Sequence, residues 1–270
     1  MKNPSKICAH LYAYTRLAPG GDLHALLDQV FADFAAAGLD GIELMHSVLD
    51  RADSVERIGN LAAQHGMPVI GSSFGGNTWD PQQAPEVLER AEQVLDAVAA
   101  LGGHTLGMST GSTGQQKTPE QLDTQADTLR QAMAMAEERG VTMNLHNHTY
   151  EVMWGEHEVR ETIARLPTVK LGPDLNWLRR AGVEPLGFLL RYADRTVFLH
   201  LRDQKGDRWT EALGEGTEDY VALGKVLDEI DFKGEATIEL AHERDQEFTR
   251  PMGELFRVSC QHLRRAFGLV

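Results

Sequence analysis

Two cysteines, Cys8 and Cys260, are all that the 270 residues provide, and they stand at opposite ends in no metal-like spacing. This excludes a disulfide framework and a cysteine-based zinc cluster, and fits reduced thiols in a cytoplasmic protein. Basic residues are also scarce: 26 Lys and Arg against 40 Asp and Glu leave a formal net charge of −14. Nucleic-acid affinity comes largely from Lys and Arg neutralising phosphates, so this balance, with no basic stripe, argues against a nucleic-acid partner. No apolar run reaches the roughly 18 residues that a membrane span needs. The opening MKNPSKICAHLYAYT is interrupted by His10, Tyr12 and Tyr14 and lacks the continuous apolar core of a signal peptide. After Tyr14 comes TRLAPGGD, which is no GxGxxG, so a dinucleotide fold is disfavoured. No linker or low-complexity segment marks a second domain, and residues 1–270 read as one.

What the chain does have is a regular alternation of short β-like runs with longer amphipathic ones. The β-like runs are Ser5–Tyr14, Gly41–Met45, Pro68–Phe74, His104–Thr110, the stretch beginning at Val141, Val169–Asn176, Thr196–Asp203 and Gly234–Ala241. Helix signals separate them: Asp22 as an N-cap and Gly38 as a stop, then Thr118 as an N-cap with Pro119 at the first helical position. Strands alternating with helices imply parallel pairing, because each crossover carries the chain back over the sheet. Eight such units in a chain of this length fit a single-domain α/β (β/α)8 TIM barrel better than an open doubly wound sheet. The loop Gln204–Thr217 is the longest irregular piece and lies where a barrel carries a substrate-covering loop. Gly71, Ser72 and Ser73 read as a tightly packed strand end in preference to a phosphate contact.

In a barrel, chemistry gathers at the carboxyl ends of the strands. Strand parity sends Glu43 inward from GIELM, His200 and Arg202 from TVFLHLRD, and Glu239 from GEATIEL; Asp174 ends its own strand, with Asn176 on the same parity. In Val141–Glu151, VTMNLHNHTYE, the apolar Met143 and Leu145 alternate with Asn144, His146 and His148. The plain alternative for that stretch is a pair of core histidines, and each strand-end acid by itself is more often structural. Together, carboxylates and imidazoles converging in an apolar barrel need pairing or a cation to offset their desolvation, and one divalent metal does this for several at once. Mixed N and O donors fit Mn²⁺, Co²⁺, Fe²⁺ or Zn²⁺, with Mg²⁺ less favoured.

IELM, LHNHTYE, GPDLNWLRRAG, FLHLRDQ, LGEGTEDY and IEL, taken in order, resemble the xylose isomerase-like TIM-barrel superfamily, in particular its sugar phosphate isomerase/epimerase branch. The resemblance spans nearly the whole chain. It implies one divalent metal held by Asp174, His200 and Glu239, with His146 standing where many relatives have Glu and with His148 or Glu151 able to substitute. It implies a keto sugar or cyclic polyol ketone as substrate, turned over through an enediolate. Glu239 is then the candidate general base, with His148 and Glu151 as further proton donors or acceptors, while Glu43, Arg202, Trp177 and Asn176 bind substrate. The HxH pattern is similar to that of inosose dehydratases, which keeps dehydration of an inosose or keto sugar open as a second outcome. A non-catalytic sugar-binding barrel is a third reading. A multi-zinc endonuclease, also found in the superfamily, needs more ligands than converge here. Barrels of this kind often associate, which leaves a homo-oligomer open.

Overall fold

The computed structural model of the chain describes residues 4 and 6–269. Ser5, the first residue of the first expected strand, lies outside the described residues. Eight strands form one parallel sheet: β1 (Ile7–His10), β2 (Ile42–Met45), β3 (Val69–Gly75), β4 (Thr105–Ser109), β5 (Thr142–Leu145), β6 (Lys170–Leu171), β7 (Phe198–Leu201) and β8 (Glu235–Ile238). Their order is β6-β5-β4-β3-β2-β1-β8-β7, and a parallel bridge pairs Leu171 on β6 with Thr196, just ahead of β7. This is the (β/α)8 TIM barrel that the alternation of elements implies. Among the described residues no helix is long and apolar enough to cross a membrane.

Backbone packing divides the chain into two compact units, residues 1–70 with 198–270, and residues 71–197. In the first, β2, β1, β8 and β7 lie side by side, with His10 opposite Glu43 and Thr237 opposite His200. Outside them α1 (Leu27–Ala37) packs on α2 (Ser54–His65) and on α9 (Met252–Ala266), which in turn meets α8 (Tyr220–Glu229). Phe34 and Phe256 approach to 4.6 Å between ring centroids, and Tyr14 stacks on Phe256 while its hydroxyl donates to Asp33 at 2.6 Å. Gly38 ends α1 in the left-handed conformation, as its position in the sequence implies.

In the second unit α3 (Ala84–Ala100), α4 (Pro119–Glu138) and α5 (Thr149–Arg165) pack in succession, and α6 (Leu175–Arg180) and α7 (Pro185–Arg191) follow β6. Thr118 and Gln121 form a reciprocal capping box at the start of α4, with Pro119 at its first position. Gly71 on β3 is required by close approach: a Cβ there would lie 2.0 Å from the Thr105 carbonyl oxygen. The tight packing expected there is present, but Gly71 to Ser73 lie inside β3 and not at its end.

The strands are shorter than their apolar patterns. β1 stops at His10 because the imidazole Nδ1 accepts the Tyr12 amide at 3.2 Å and turns the chain into a 3₁₀ stretch, Leu11–Arg16. β5 stops at Leu145 and β6 at Leu171, so His146, His148, Asp174 and Asn176 sit on turns and helix starts, where a two-residue period no longer assigns a face. α5 is broken at Met153–Glu156, where Trp154, Gly155 and Glu156 are left-handed. Arg191 and the Tyr192 hydroxyl hold Glu156 at 2.5 and 2.9 Å.

Candidate active site

Each unit gathers one cluster of polar side chains at the carboxyl ends of its strands. In the first unit the cluster is built on β1, β2, β7 and β8. Glu43 is fully enclosed, and its Oε2 lies 2.6 Å from His200 Nε2. Glu239, one residue past β8, brings Oε2 to 3.8 Å from the same nitrogen, while its Oε1 pairs with Arg202 Nη2 at 2.7 Å. The Arg202 guanidinium also lies over the faces of Tyr12 and Trp209, at 5.9 and 5.5 Å, so it is held on three sides. His10 completes the group, with its ring edge-on to His200 at 5.8 Å and Nδ1 3.7 Å from Glu239 Oε1. Burial holds the His10 imidazole below its ordinary pKa despite Glu239 and Glu43 beside it. Its Nδ1 accepts a backbone N–H, which fits the neutral ring.

This cluster fits a cation. Among the described residues it sets two buried carboxylates, Glu43 and Glu239, against one guanidinium, Arg202. Glu43 Oε1 and the neighbouring Thr237 Oγ1 are buried with no hydrogen-bond partner. A buried acceptor left so is costly unless a positive charge or a donor occupies its face.

In the second unit His146, His148, Asp174, Asn176 and Trp177 come together around the ends of β5 and β6. The His146 and His148 rings meet edge to face at 5.0 Å, and His148 stacks on Tyr150 at 5.3 Å and tilts toward Trp177 at 5.9 Å. Asp174 is completely buried and caps α6: its Oδ1 accepts the Asn176 and Trp177 amides, both at 3.0 Å. Asn147, between the two histidines, joins Asp174 to the turn after β5. Glu151 is engaged as a cap on α5, its Oε2 accepting the His148 amide at 2.7 Å. Behind His146 and Glu151 a small enclosed cavity of about 20 Å³ is lined also by Thr110, Glu158 and Gln125. There Lys117 Nζ reaches Glu158 at 2.6 Å, Gln125 at 2.7 Å and Thr110 at 3.1 Å. Burial pushes the Lys117 ammonium pKa down and the Glu158 carboxyl pKa up, each partly offset by its partner.

The sequence matches the model of the xylose isomerase-like TIM barrel family over residues 31–266. The chain belongs to that family. Among curated proteins none matches it. Solved structures with the same fold include D-allulose 3-epimerase from Methylomonas sp. in complex with D-allulose, at 18% identity, 97% of this chain, 96% of that one and a TM-score of 0.80. They also include the 3-keto-D-glucoside 4-epimerase of E. coli, at 19% identity, 96% of this chain, 99% of that one and a TM-score of 0.77. A third is a sugar phosphate isomerase/epimerase from Parabacteroides distasonis, at 17% identity, 97% of this chain, 94% of that one and a TM-score of 0.77.

One family-like motif has a structural explanation in the first unit. Asp203, which follows Arg202, accepts the amides of Gln204, Gly214, Gly216 and Glu218 at 2.9, 2.9, 3.0 and 3.2 Å. A Cβ at Gly216 would lie 2.1 Å from Asp203 Oδ1, and Gly214 is left-handed with His262 against it. HLRD and LGEG are thus two halves of one knot, which closes the loop carrying Trp209. The sequence alone assigns no role to His10, Asn147, Lys117 or Asp203. Of these only His10 carried a usable signal, an imidazole at the end of a strand in the same layer as Glu43.

Proposed function

We propose that the protein is a divalent-metal-dependent isomerase or epimerase of a keto sugar, with His146, Asp174, His200 and Glu239 holding one cation. The observation that carries the proposal is the buried Glu43–His200–Glu239–Arg202 cluster, whose excess negative charge and unpartnered Glu43 oxygen suit a cation. Asp174 supports it with a fully enclosed carboxylate, and His146, just past the end of β5, offers an imidazole. The named activities of solved structures with the same fold, a D-allulose 3-epimerase among them, support a sugar carbonyl as the reacting group.

When bound, a divalent cation polarises a carbonyl oxygen and acidifies the adjacent carbon-bound proton. The rest falls to the chain. Glu239 removes the proton from the carbon next to the carbonyl and Arg202 keeps its carboxylate aimed. His148, half-exposed beside Trp177, returns a proton on the other face or the neighbouring carbon. Trp177 and Asn176 line the sugar. Glu43, read from the sequence as a substrate contact, acts in this proposal through His200, which it orients; Glu151 acts through the turn that it caps. The apposed His146 and His148 rings favour one second reading, loss of a neighbouring hydroxyl from an inosose or keto sugar with His148 as the acid.

A panel of ketohexoses, ketopentoses, their phosphates and inososes, incubated with Mn²⁺-loaded enzyme and followed by NMR, tests both readings. An epimer or isomer is expected, and EDTA is expected to abolish its formation. A dehydrated product supports the second reading, and turnover unaffected by exhaustive chelation discards the metal.

A further inference from the structure

The β5–β6 ladder is continued by a side chain. Amides along β6 alternate sides, Leu171 donating to Arg195 O and Gly172 to Leu145 O, both at 2.9 Å, so Pro173, with no N–H, falls on the side away from β5. Asp174, one residue further, has both backbone groups to satisfy in a fully buried place. The Asn147 side chain meets both: its Oδ1 accepts the Asp174 amide at 3.2 Å, and its Nδ2 donates at 3.3 Å to the Asp174 carbonyl, which also accepts the Leu178 amide at 3.2 Å. The same Nδ2 reaches the His148 carbonyl at 3.4 Å. A carboxamide is a peptide group in miniature, with a donor and an acceptor side by side, so it takes the place of the next backbone rung, at Asp174.

The clasp is rigid from both sides. Asn147 is 4% exposed, His148 is tied to Glu151 through its amide, and the Asp174 carboxylate is tied to the first turn of α6. Both polar atoms of Asn147 are spent on backbone, so it orders its neighbours and is no ligand itself. On one side of it stand His146 and His148, on the other Asp174.

We infer that Asn147 is a positioning residue that sets the spacing between the fifth-strand imidazoles and the Asp174 carboxylate, and through it the affinity of the metal site. This rests on the proposed assignment of His146 and Asp174 as ligands. Residues that orient ligands from behind typically change metal affinity by about 10–100-fold when removed.

The test is Mn²⁺ binding to the full chain, read from the electron paramagnetic resonance of the free ion. Wild type is titrated first, and absence of any bound ion there defeats the ligand assignment before a variant is compared. Asn147→Ala is expected to bind Mn²⁺ tenfold or more weakly. Asn147→Asp keeps the acceptor for the Asp174 amide but loses the donor and adds a negative charge, which by charge alone tightens cation binding; it too is expected to bind tenfold or more weakly. Leu129→Ala, a core truncation in α4, is the control for lost stability and is expected to keep wild-type affinity at a comparably lowered melting temperature. A smaller change in either Asn147 variant, or an equal loss in Leu129→Ala, overturns the inference. Should Asn147→Ala not fold, Asn147→Ser is read in its place; if neither folds, the clasp is a folding element and the inference falls.

Discussion

Glu43 Oε2 and His200 Nε2 meet at 2.6 Å, with the glutamate side chain fully enclosed and the imidazole 2% exposed. A carboxylate on one ring nitrogen fixes the tautomer and orientation of a histidine that uses its other nitrogen as a ligand, and raises its basicity. Glu43→Ala is therefore expected to weaken Mn²⁺ binding by about 10–100-fold, with Glu43→Gln less severe because the amide still pairs with the ring. Wild-type affinity in a folded Glu43→Ala protein, measured by the same titration, contradicts the role.

Lys117 and Glu158 are enclosed together, at 1% and 8% side-chain exposure. Removing one member of such a pair leaves a buried charge alone, which costs about 3–5 kcal/mol, whereas replacing both with apolar groups is often close to neutral. Urea unfolding of Lys117→Met is expected to show a loss of that size, and the double variant Lys117→Met with Glu158→Leu to recover much of it. Additive losses in the double variant rule out coupling between the two.

Asp203 holds the ends of the Gln204–Thr217 loop through four backbone amides. Asp203→Ala is expected to cost about 2–3 kcal/mol, since a charged acceptor is lost and buried N–H groups are stranded. Trypsin is expected to cut faster at Lys205 and Arg208, both exposed on the short antiparallel ribbon of that loop. An unchanged cleavage rate means that the loop is ordered by other contacts.

Much of the fold was legible because its signals are local. Alternating apolar runs with Thr118–Pro119 and Gly38 at helix ends located the elements, and eight alternations in one chain limited the topology. The inward positions of Glu43 and His200 were legible for the same reason, since both lie within regular strands, where the side-chain period is two. Beyond the strand ends that period stops carrying information. His146, His148 and Asp174 are placed by the cap at Asp174 and by the Asn147 side chain, the latter a tertiary relation between segments about 27 residues apart in sequence. Lys117 left no trace at all: a lysine in a Ser-, Gly- and Gln-rich loop looks solvated, and only the fold buries it against Glu158.

His242 gives the protein an acid sensitivity of defined sign. Its Nε2 donates to the Glu211 carbonyl at 3.1 Å, its Nδ1 is buried without a partner, and burial lowers its pKa from 6.5. Below that value the unfolded chain takes up a proton that the folded chain refuses, so the contribution is constant above it and stability falls as pH drops through and below 6.5. Melting temperatures from pH 8 to 5 are expected to decline more steeply for wild type than for His242→Asn. Parallel curves exclude His242 as a source.

In the proposed function the Glu239 carboxylate moves a proton at the carbon beside a sugar carbonyl, with a divalent cation supplying the polarisation. The most direct measurement is proton NMR of a ketose such as D-allulose or D-fructose incubated in D₂O with the Mn²⁺-loaded protein, the ion then being removed before the spectrum is taken. Deuterium is expected to enter at the carbon beside the carbonyl, and EDTA and Glu239→Gln are each expected to stop it. Exchange that survives both, or no exchange across the sugars tested, contradicts the claim.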